Sequence, residues 1–350
     1  MNKILYILIM AVSFIIFTAA GPGAETGQMA LLGKDRIRDC AGREITVEKP
    51  FSRIISLYGA HTENLFSLEA DDKIIGVGRH PDWPPAAREK SRFSPHDGPE
   101  KFLAARPDLV LVRPMIDNGY QPLIRRLEGF GITVISLQPG NVDEMKTYWK
   151  ILGRLTGRQS AAASMIETFE TGVLQARMLA EQVEEKKKVY FEAIHDKFKT
   201  FSPGAMPLFA LKCAGGINAA QEVRPVRGTN IAEFGKEQVM EKGPEIDVYL
   251  AQSGPMNSVS VEDIASEPGF GVIKAVREGE IYIVNEKIVS RPTLRLVKGI
   301  WTIGEILYPE VYGNMNTNTR EKFKNRSTNI ETNPNRQNSE SKTYAECEKR

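Results

Sequence analysis

The order of apolar and polar positions in this chain predicts strands that alternate with helices. Short apolar runs occupy residues 53–57, 74–77, 109–112 and 133–137. Between and after them, residues 63–68, 99–105 and 121–129 carry apolar side chains at helical spacing. Strands that alternate with helices in this way indicate a parallel sheet with helices on its faces.

The second half of the chain repeats the same pattern. Strands are predicted at residues 188–193, 247–251 and 281–284, and helices at 207–214, 236–242, 270–276 and 294–307. Before them lie two long helical patterns, 142–155 and 160–185, and a helix of about 26 residues is ~39 Å long, enough to bridge two lobes. The charged residues 184–188 are interpreted as its final turn. The sequence therefore predicts an α/β fold of two parallel-sheet lobes joined by a single long helix, with a ligand cleft between them.

These patterns divide the chain into an N-terminal lobe at 25–157, a connecting helix at 158–187 and a C-terminal lobe at 188–312. Residues 1–24 are predicted to be a cleavable export signal, because Lys3 precedes an apolar run and then small residues at 18–20. A membrane-spanning helix is the alternative, but the run is short for a ~30 Å hydrocarbon core. No cysteine follows the run, so the mature protein is expected in the periplasm without a lipid anchor.

Composition narrows the choice of function. The 46 basic and 44 acidic residues nearly balance, and no basic block with interleaved aromatic residues is present, which argues against nucleic-acid binding. Cys40, Cys213 and Cys347 have no short spacing that would indicate a disulfide framework or a zinc site. Residues 313–350 are polar with few apolar positions, and we expect them to be disordered, a linker to another partner being the alternative.

Polar and aromatic residues follow several of the predicted strands. Because the carboxyl ends of parallel strands meet at one edge of a sheet, these residues are expected to line the cleft. Arginines there fit a ligand that carries carboxylates, since a guanidinium binds a carboxylate through two hydrogen bonds. The candidate ligand-binding residues are Tyr58, His61, Arg79, His80, Arg113, His195, Phe201, Arg227, Arg291 and Arg295.

Nine short segments, taken in their order and spacing, resemble the periplasmic substrate-binding proteins for ferric siderophores, haem and cobalamin, the receptors of one class of ABC importer. The resemblance covers residues 35–312. The matching segments are Asp39-x-x-Gly-Arg43, Arg53-Ile-Ile-Ser-Leu57, Thr62-Glu63 with Leu65-Phe66, Ile75-Gly-Val77, Ala105-Arg-Pro-Asp-Leu-Val-Leu111, Gly131-Ile-x-Val134, Leu152-Gly-x-Leu-Thr-Gly157, Gly215-Gly216-x-Asn218 and Arg291-Pro-x-x-Arg295.

The resemblance implies a receptor that captures a metal chelate, either a ferric siderophore or haem, between its lobes. We expect it to act as a monomer and to need no cofactor. The resemblance also implies a permease dimer at the inner membrane as partner, with Glu100 and Glu237 as the carboxylates that dock into arginine pockets on the permease. The local alternative for both glutamates is a solvated carboxylate at the positive end of a helix dipole. Ser94-Pro95-His96 stands where members of the family that are richer in aromatic residues carry a segment with a tryptophan. This difference favours an anionic ligand over cobalamin.

Three alternatives remain open at this stage. One is a cobalamin receptor, and another is a receptor for a bare metal ion held by His61, His80 and His195. A third is a cleft enzyme that acts on a tetrapyrrole. The chain contains no Gly-x-Ser-x-Gly, phosphate-binding loop or His-Glu-x-x-His motif, so we expect a binding protein and not an enzyme.

Overall fold

The structure, a computed structural model, describes residues 28–226 and 228–313. In the first half the strands are β1 (Ala30–Leu31), β2 (Arg36–Arg38), β3 (Glu44–Thr46), β4 (Ile54–Ser56), β5 (Ile74–Val77), β6 (Ser91–Arg92), β7 (Leu109–Val112) and β8 (Thr133–Ser136). The helices are α1 (Gly59–Ser67), α2 (Pro99–Ala105), α3 (Pro114–Gly119), α4 (Gln121–Gly129), α5 (Val142–Thr156) and α6 (Gln159–Ala180).

In the second half the strands are β9 (Lys188–Ile194), β10 (Lys199–Phe201), β11 (Ile217–Asn218), β12 (Arg224–Pro225), β13 (Ile231–Glu233), β14 (Val248–Ser253) and β15 (Ile281–Asn285). The helices are α7 (Met206–Cys213), α8 (Lys236–Lys242), α9 (Val261–Ser266), α10 (Lys274–Glu278), α11 (Glu286–Val289), α12 (Leu296–Leu307) and α13 (Pro309–Tyr312).

The first large sheet is parallel throughout and has the strand order β6-β5-β4-β7-β8. Its central strand β4 is buried along its whole length, because apolar side chains pack on both faces of the sheet. After β4 the chain moves outward to β5 and β6 and then returns to the other side of β4 at β7. The strand order therefore reverses between β4 and β7, where ligands bind in sheets of this kind.

The second large sheet has a parallel centre and an antiparallel edge. Its order is β12-β13-β10-β9-β14-β15, with β11 also paired to β9. Strands β9, β14 and β15 are mutually parallel, as predicted, and β11, which the sequence pattern did not predict, also pairs parallel to β9. Strands β10, β12 and β13 run antiparallel to their neighbours. The two sheets with their helices confirm the predicted α/β class, and we call them the N-terminal and C-terminal lobes.

Helix α6 lies between the two sheets in sequence and packs against α5 on one side and against α7 and α12 on the other. It ends at Ala180, whereas the predicted segment extends to residue 187. The charged residues 184–188 are therefore not its final turn: Lys188 already belongs to β9. At 22 residues the helix is about 33 Å long. Its role as a bridge and the lobe boundaries stay predictions.

Several predictions fall outside the part of the chain that the structure describes. They are the export signal at 1–24, nearly all of the polar tail, Cys347 and Arg227. Within the described ranges, no helix combines the length and the apolar character that crossing a bilayer requires. Cys40 and Cys213 are buried free thiols, and burial raises the pKa of the Cys40 thiol to about 11.

Candidate ligand cleft between the two lobes

Tyr58 and Arg113 meet where the strand order of the N-terminal sheet reverses. Tyr58 follows β4 and occupies the N-cap position of α1, and Arg113 follows β7 and occupies the N-cap position of α3, although neither side chain forms a capping hydrogen bond. The Arg113 guanidinium lies over the Tyr58 ring, 5.0 Å from its centroid. Two residues that are 55 positions apart are thus brought together because their strands are neighbours in a parallel sheet.

Arg113 is half-buried, and no carboxylate of the described residues forms an ion pair with it. Its Nη2 atom lies 3.5 Å from the sulfur of Met115, a side chain that is 62% exposed. Burial raises the pKa of the Tyr58 hydroxyl, and the charges of Arg113 and Arg291 oppose the shift. The pair therefore offers a ligand an aromatic face and a positive charge that an anionic group of the ligand can neutralise.

Arg291 and Arg295 lie at the junction of the lobes as predicted, but each is already paired with a carboxylate of the N-terminal lobe. Arg295 donates to both oxygens of Glu63, with 2.6 Å between its Nε and Oε1. Arg291 donates to Asp82 at 3.0 Å. The expectation that both arginines are free to hold an anionic ligand is corrected here, because each guanidinium already binds a carboxylate of the opposite lobe.

Asp82 receives a second cation from the C-terminal lobe. Lys287 lies 2.8 Å from its other carboxylate oxygen. Burial opposes ionisation of Asp82, but the hydrogen bonds from Lys287 and Arg291 outweigh it and lower the pKa of the carboxyl to about 2. The carboxylate therefore stays charged at any physiological pH.

Contacts other than ion pairs also join the lobes. The carbonyl oxygen of Pro292 accepts hydrogen bonds from Asn64 at 2.9 Å and from the indole of Trp149 at 3.3 Å. Trp83 lies half-buried with the Arg295 guanidinium 5.2 Å from its ring centroid. The junction is consequently held by polar bonds as well as by apolar packing.

Glu286 begins α11 and is a cleft residue that the sequence did not single out. Burial raises the pKa of its carboxyl, with Arg291 and Lys287 opposing the shift and Arg113 close enough to contribute. Its side chain packs directly on Gly254, where any larger residue would overlap it. Glu286 thus brings a partly desolvated carboxyl from the C-terminal lobe towards Arg113 of the N-terminal lobe.

His61 is fully buried and is not available to a ligand. One ring nitrogen lies 2.6 Å from the Tyr148 hydroxyl and the other 2.9 Å from the carbonyl oxygen of Val112. Burial lowers the pKa of the imidazole to about 4, so it is neutral at physiological pH. The helix begins at Gly59, four residues earlier than predicted, and this places His61 on the inward face of α1.

His195 follows β9 as predicted, yet its ring faces into the C-terminal lobe. Its Nδ1 lies 3.0 Å from Glu192, a fully buried carboxylate that also accepts a hydrogen bond from the Tyr249 hydroxyl. The hydrogen bond to Glu192 raises the pKa of the His195 imidazole despite its burial. His195 is therefore engaged within its own lobe.

The three-histidine metal site is contradicted by this arrangement. His61 has both nitrogens occupied and His195 is bound to Glu192, while His80 is exposed at the end of β5. No group of three or more histidine, cysteine or carboxylate side chains among the described residues is placed to hold a metal ion.

Phe201 belongs to the core and not to the cleft. It is 2% exposed and packs edge-to-face on Phe191, with ring centroids 5.1 Å apart. Phe201 lies on β10, a strand that the sequence pattern did not predict, and its side chain faces the main apolar cluster. Phe93 is likewise buried, against Phe102.

The remaining candidates lie on the surface. Arg79 is exposed and has one distant partner, Asp97, at 3.9 Å. Glu100 and Glu237 each occupy the exposed first turn of a helix, α2 and α8 respectively. That position suits both docking and a simple dipole interaction, so the docking role stays a prediction.

Comparison with known proteins agrees with this architecture. The family model for periplasmic binding proteins matches residues 54–288. An ABC transporter substrate-binding lipoprotein of Bacillus subtilis, YvrC, is 22% identical over 79% of this chain and 86% of its own length. The vitamin B12-binding protein of Vibrio cholerae is 25% identical over 72% of this chain and 88% of its own.

A solved structure shares the fold. A possible iron-binding, periplasmic solute-binding protein from Staphylococcus epidermidis superposes with a TM-score of 0.66 at 24% identity, covering 74% of this chain and all of that one. The chain therefore belongs to the periplasmic binding protein family. It is a substrate-binding protein of an ABC transporter and not an enzyme.

Proposed function

We propose that this protein is exported to the periplasm, captures an iron chelate in the cleft between its lobes and delivers it to an inner-membrane permease. The ligand class is a ferric siderophore or haem. The observation that supports it best is the Arg113–Tyr58 pair at the point where the strand order reverses. A guanidinium that pairs with no carboxylate in the part of the chain that the structure describes suits a carboxylate-bearing ligand, and the adjacent ring suits its apolar body.

The ion pairs at the junction refine the expected charge of the ligand. Arg291 and Lys287 share Asp82, and Arg295 pairs with Glu63, so two of these three positive charges are offset and about one is left. Arg113 and the exposed Arg79 are left to meet the ligand. We therefore propose a ligand with few anionic groups and not a highly charged complex.

Cobalamin is the second candidate. A relative over most of this chain is a vitamin B12-binding protein. Met115 and Met256 follow β7 and β14 in opposite lobes and are each 62% exposed, which offers adaptable apolar contact to a large macrocycle. Binding of cobalamin would depend on these apolar contacts more than on the charge of Arg113.

A titration separates these ligands. The mature protein is mixed with haem, a ferric hydroxamate siderophore, cyanocobalamin or Ni²⁺ while the fluorescence of its tryptophans is followed. An iron chelate that binds at micromolar concentration or tighter, more weakly as salt is raised, is the expected result. Binding of cyanocobalamin alone would favour the second candidate, and binding of Ni²⁺ alone would refute both.

The export part of the proposal has its own test. We propose that the signal is cleaved and that no lipid is attached. The mature protein should therefore be recovered in a periplasmic extract. Its intact mass should match a chain that begins near residues 21–25 without any added acyl group. Retention in the membrane fraction with the mass of an acylated protein would contradict this.

A further inference from the structure

A second concave site lies on the side of the molecule formed by α5, α6 and α7. It is a groove of about 660 Å³, within the size range of small-molecule sites. Residues from α5 of the N-terminal lobe, from α6 and from α7 of the C-terminal lobe line it. Neither Tyr58 nor Arg113 belongs to its lining.

A buried tryptophan separates the groove from the lobe junction. Trp149 bonds through its indole nitrogen to Pro292, next to Arg291. On its other side it packs edge-to-face on Phe169, a groove residue, with ring centroids 5.6 Å apart. We call the proposed ligand site at Tyr58 and Arg113 the strand-end cleft. The groove lies near this cleft, but Trp149 separates the two sites and neither Tyr58 nor Arg113 lines the groove.

One wall of the groove is apolar and flat. The rings of Phe169 and Phe209 are stacked, with centroids 6.2 Å apart and an interplanar angle of 22°. Val173, Leu174 and Leu208 extend this wall, and Leu174 is 59% exposed. The wall suits the face of an aromatic or otherwise flat apolar molecule.

Cations border this wall. The Arg177 guanidinium lies 5.6 Å from the centroid of the Phe209 ring, and its Nε is 3.3 Å from the sulfur of Cys213. Within the described ranges no carboxylate forms an ion pair with Arg177 or with Lys212, which also lines the groove. Lys146, by contrast, is shared between Asp143 and Glu170.

We propose that this groove is a second binding site, for a small organic anion with a flat apolar body. The body packs on Phe169 and Phe209, and the anionic group approaches Arg177 and Lys212. The chain's own residues 314–350 are a poorer occupant, because they contain more lysine and arginine than aspartate and glutamate. This proposal does not depend on which chelate occupies the strand-end cleft.

Two probes of nearly the same shape test the proposal. 8-Anilinonaphthalene-1-sulfonate carries an anionic group, and N-phenyl-1-naphthylamine is its neutral counterpart. Arg177→Gln should weaken the binding of the anionic probe about fivefold and should leave the binding of the neutral probe unchanged. The expected loss is smaller than the roughly tenfold loss for a buried charged hydrogen bond, because Arg177 is exposed. Arg125→Gln, at an exposed arginine of α4, is the matched control and should change neither probe.

Two further variants show which of the two sites the anionic probe occupies. Leu174→Glu, at an exposed groove position, should weaken the anionic probe, and Arg113→Gln should leave its affinity unchanged. Equal affinity of the anionic probe for Arg177→Gln and the parent protein would overturn the proposal, as would equal losses for both probes. A loss of the anionic probe in Arg113→Gln would assign it to the strand-end cleft instead. Unchanged urea midpoints of the variants show that folding is intact.

Discussion

Glu63 and Arg295 form a bidentate ion pair across the junction of the two lobes, although 232 positions separate them in sequence. The Glu63 side chain is 2% exposed and the Arg295 side chain 14% exposed. Both belong to segments on which the family resemblance rests, Thr62-Glu63 and Arg291-Pro-x-x-Arg295. A contact between lobes therefore accounts for two of these segments, in place of the ligand contact that we expected for Arg295.

Removal of one partner of this pair should destabilise the protein. Glu63→Gln leaves Arg295 with an uncompensated charge at a buried site, and the expected loss is about 3–5 kcal/mol in the free energy of unfolding, measured by urea denaturation. Glu44→Gln is the control, because its pairs with Arg36 and Arg38 are exposed and screened by solvent, so its loss should change the free energy of unfolding far less. Equal losses for the two variants would show that the buried pair carries no special weight.

The local pattern of the sequence was sufficient for four of the five strands of the N-terminal sheet and for the position of Tyr58 and Arg113 after their strands, but it missed the two-residue edge strand β6. Apolar runs fixed β5 and β7 at their observed bounds, and the residues after parallel strands must lie at one sheet edge. The inward position of His61 also had a signal, since His61, Leu65 and Leu68 follow the helical spacing of a buried face.

Other features depend on contacts that local patterns do not encode. The partners of Arg291 and Arg295 come from the other lobe and are known only once the lobes are assembled. Phe201 looked accessible because β10 is a three-residue strand, too short to show an alternating pattern. The early end of α6 at Ala180 was missed because the charged residues after it are equally compatible with a helix.

His61 should make the protein less stable as the pH falls. Its folded-state pKa of about 4 lies below the ordinary value of 6.5, so the unfolded chain binds the proton more readily. The stability is fully present above pH 6.5 and is lost progressively towards pH 4, by about 3 kcal/mol for a shift of this size. Urea midpoints between pH 7 and 4 should fall less steeply for His61→Gln than for the parent. Parallel curves would contradict the assigned burial.

His195 should act in the opposite direction. Its pKa is raised by the hydrogen bond to Glu192, with Glu267 and Asp196 adding to the effect, so the folded protein binds the proton more tightly. This contribution is fully present below the ordinary pKa of 6.5 and is lost as the pH rises through the folded-state value. His195→Gln should lose about 1–3 kcal/mol at pH 6 and less at pH 9. An NMR titration that places the His195 pKa below 6.5 would refute the assignment.

Arg113 should contribute to ligand affinity more than any other strand-end arginine. Arg113→Gln removes a half-buried cation that forms no ion pair with any carboxylate of the described residues, and the affinity for an anionic iron chelate should fall about tenfold or more. Arg79→Gln is the control: that side chain is exposed, so its loss should cost less than about threefold. The affinities are measured at low and moderate salt. Unchanged binding in both variants, without salt dependence, would point to a neutral ligand and favour cobalamin.

Glu100 and Glu237 should serve delivery to the permease and contribute little to ligand binding. Both are exposed in the first turn of a helix, and neither lies among the residues of the lobe junction. If they dock on permease arginines, changing both to lysine places like charges against each other and should reduce uptake sharply. Ligand affinity should stay within a few-fold of the parent.

The matched control for this experiment is Glu262→Lys, which reverses an exposed carboxylate in the first turn of α9. It perturbs one helix dipole in the same way as each single substitution of the double variant, without touching either predicted docking residue. Uptake of the iron chelate by cells that carry each variant is compared with the affinity of the purified proteins. If the control and the double variant reduce uptake equally, the glutamates act only on their helices. If the double variant loses ligand affinity, they belong to the cleft.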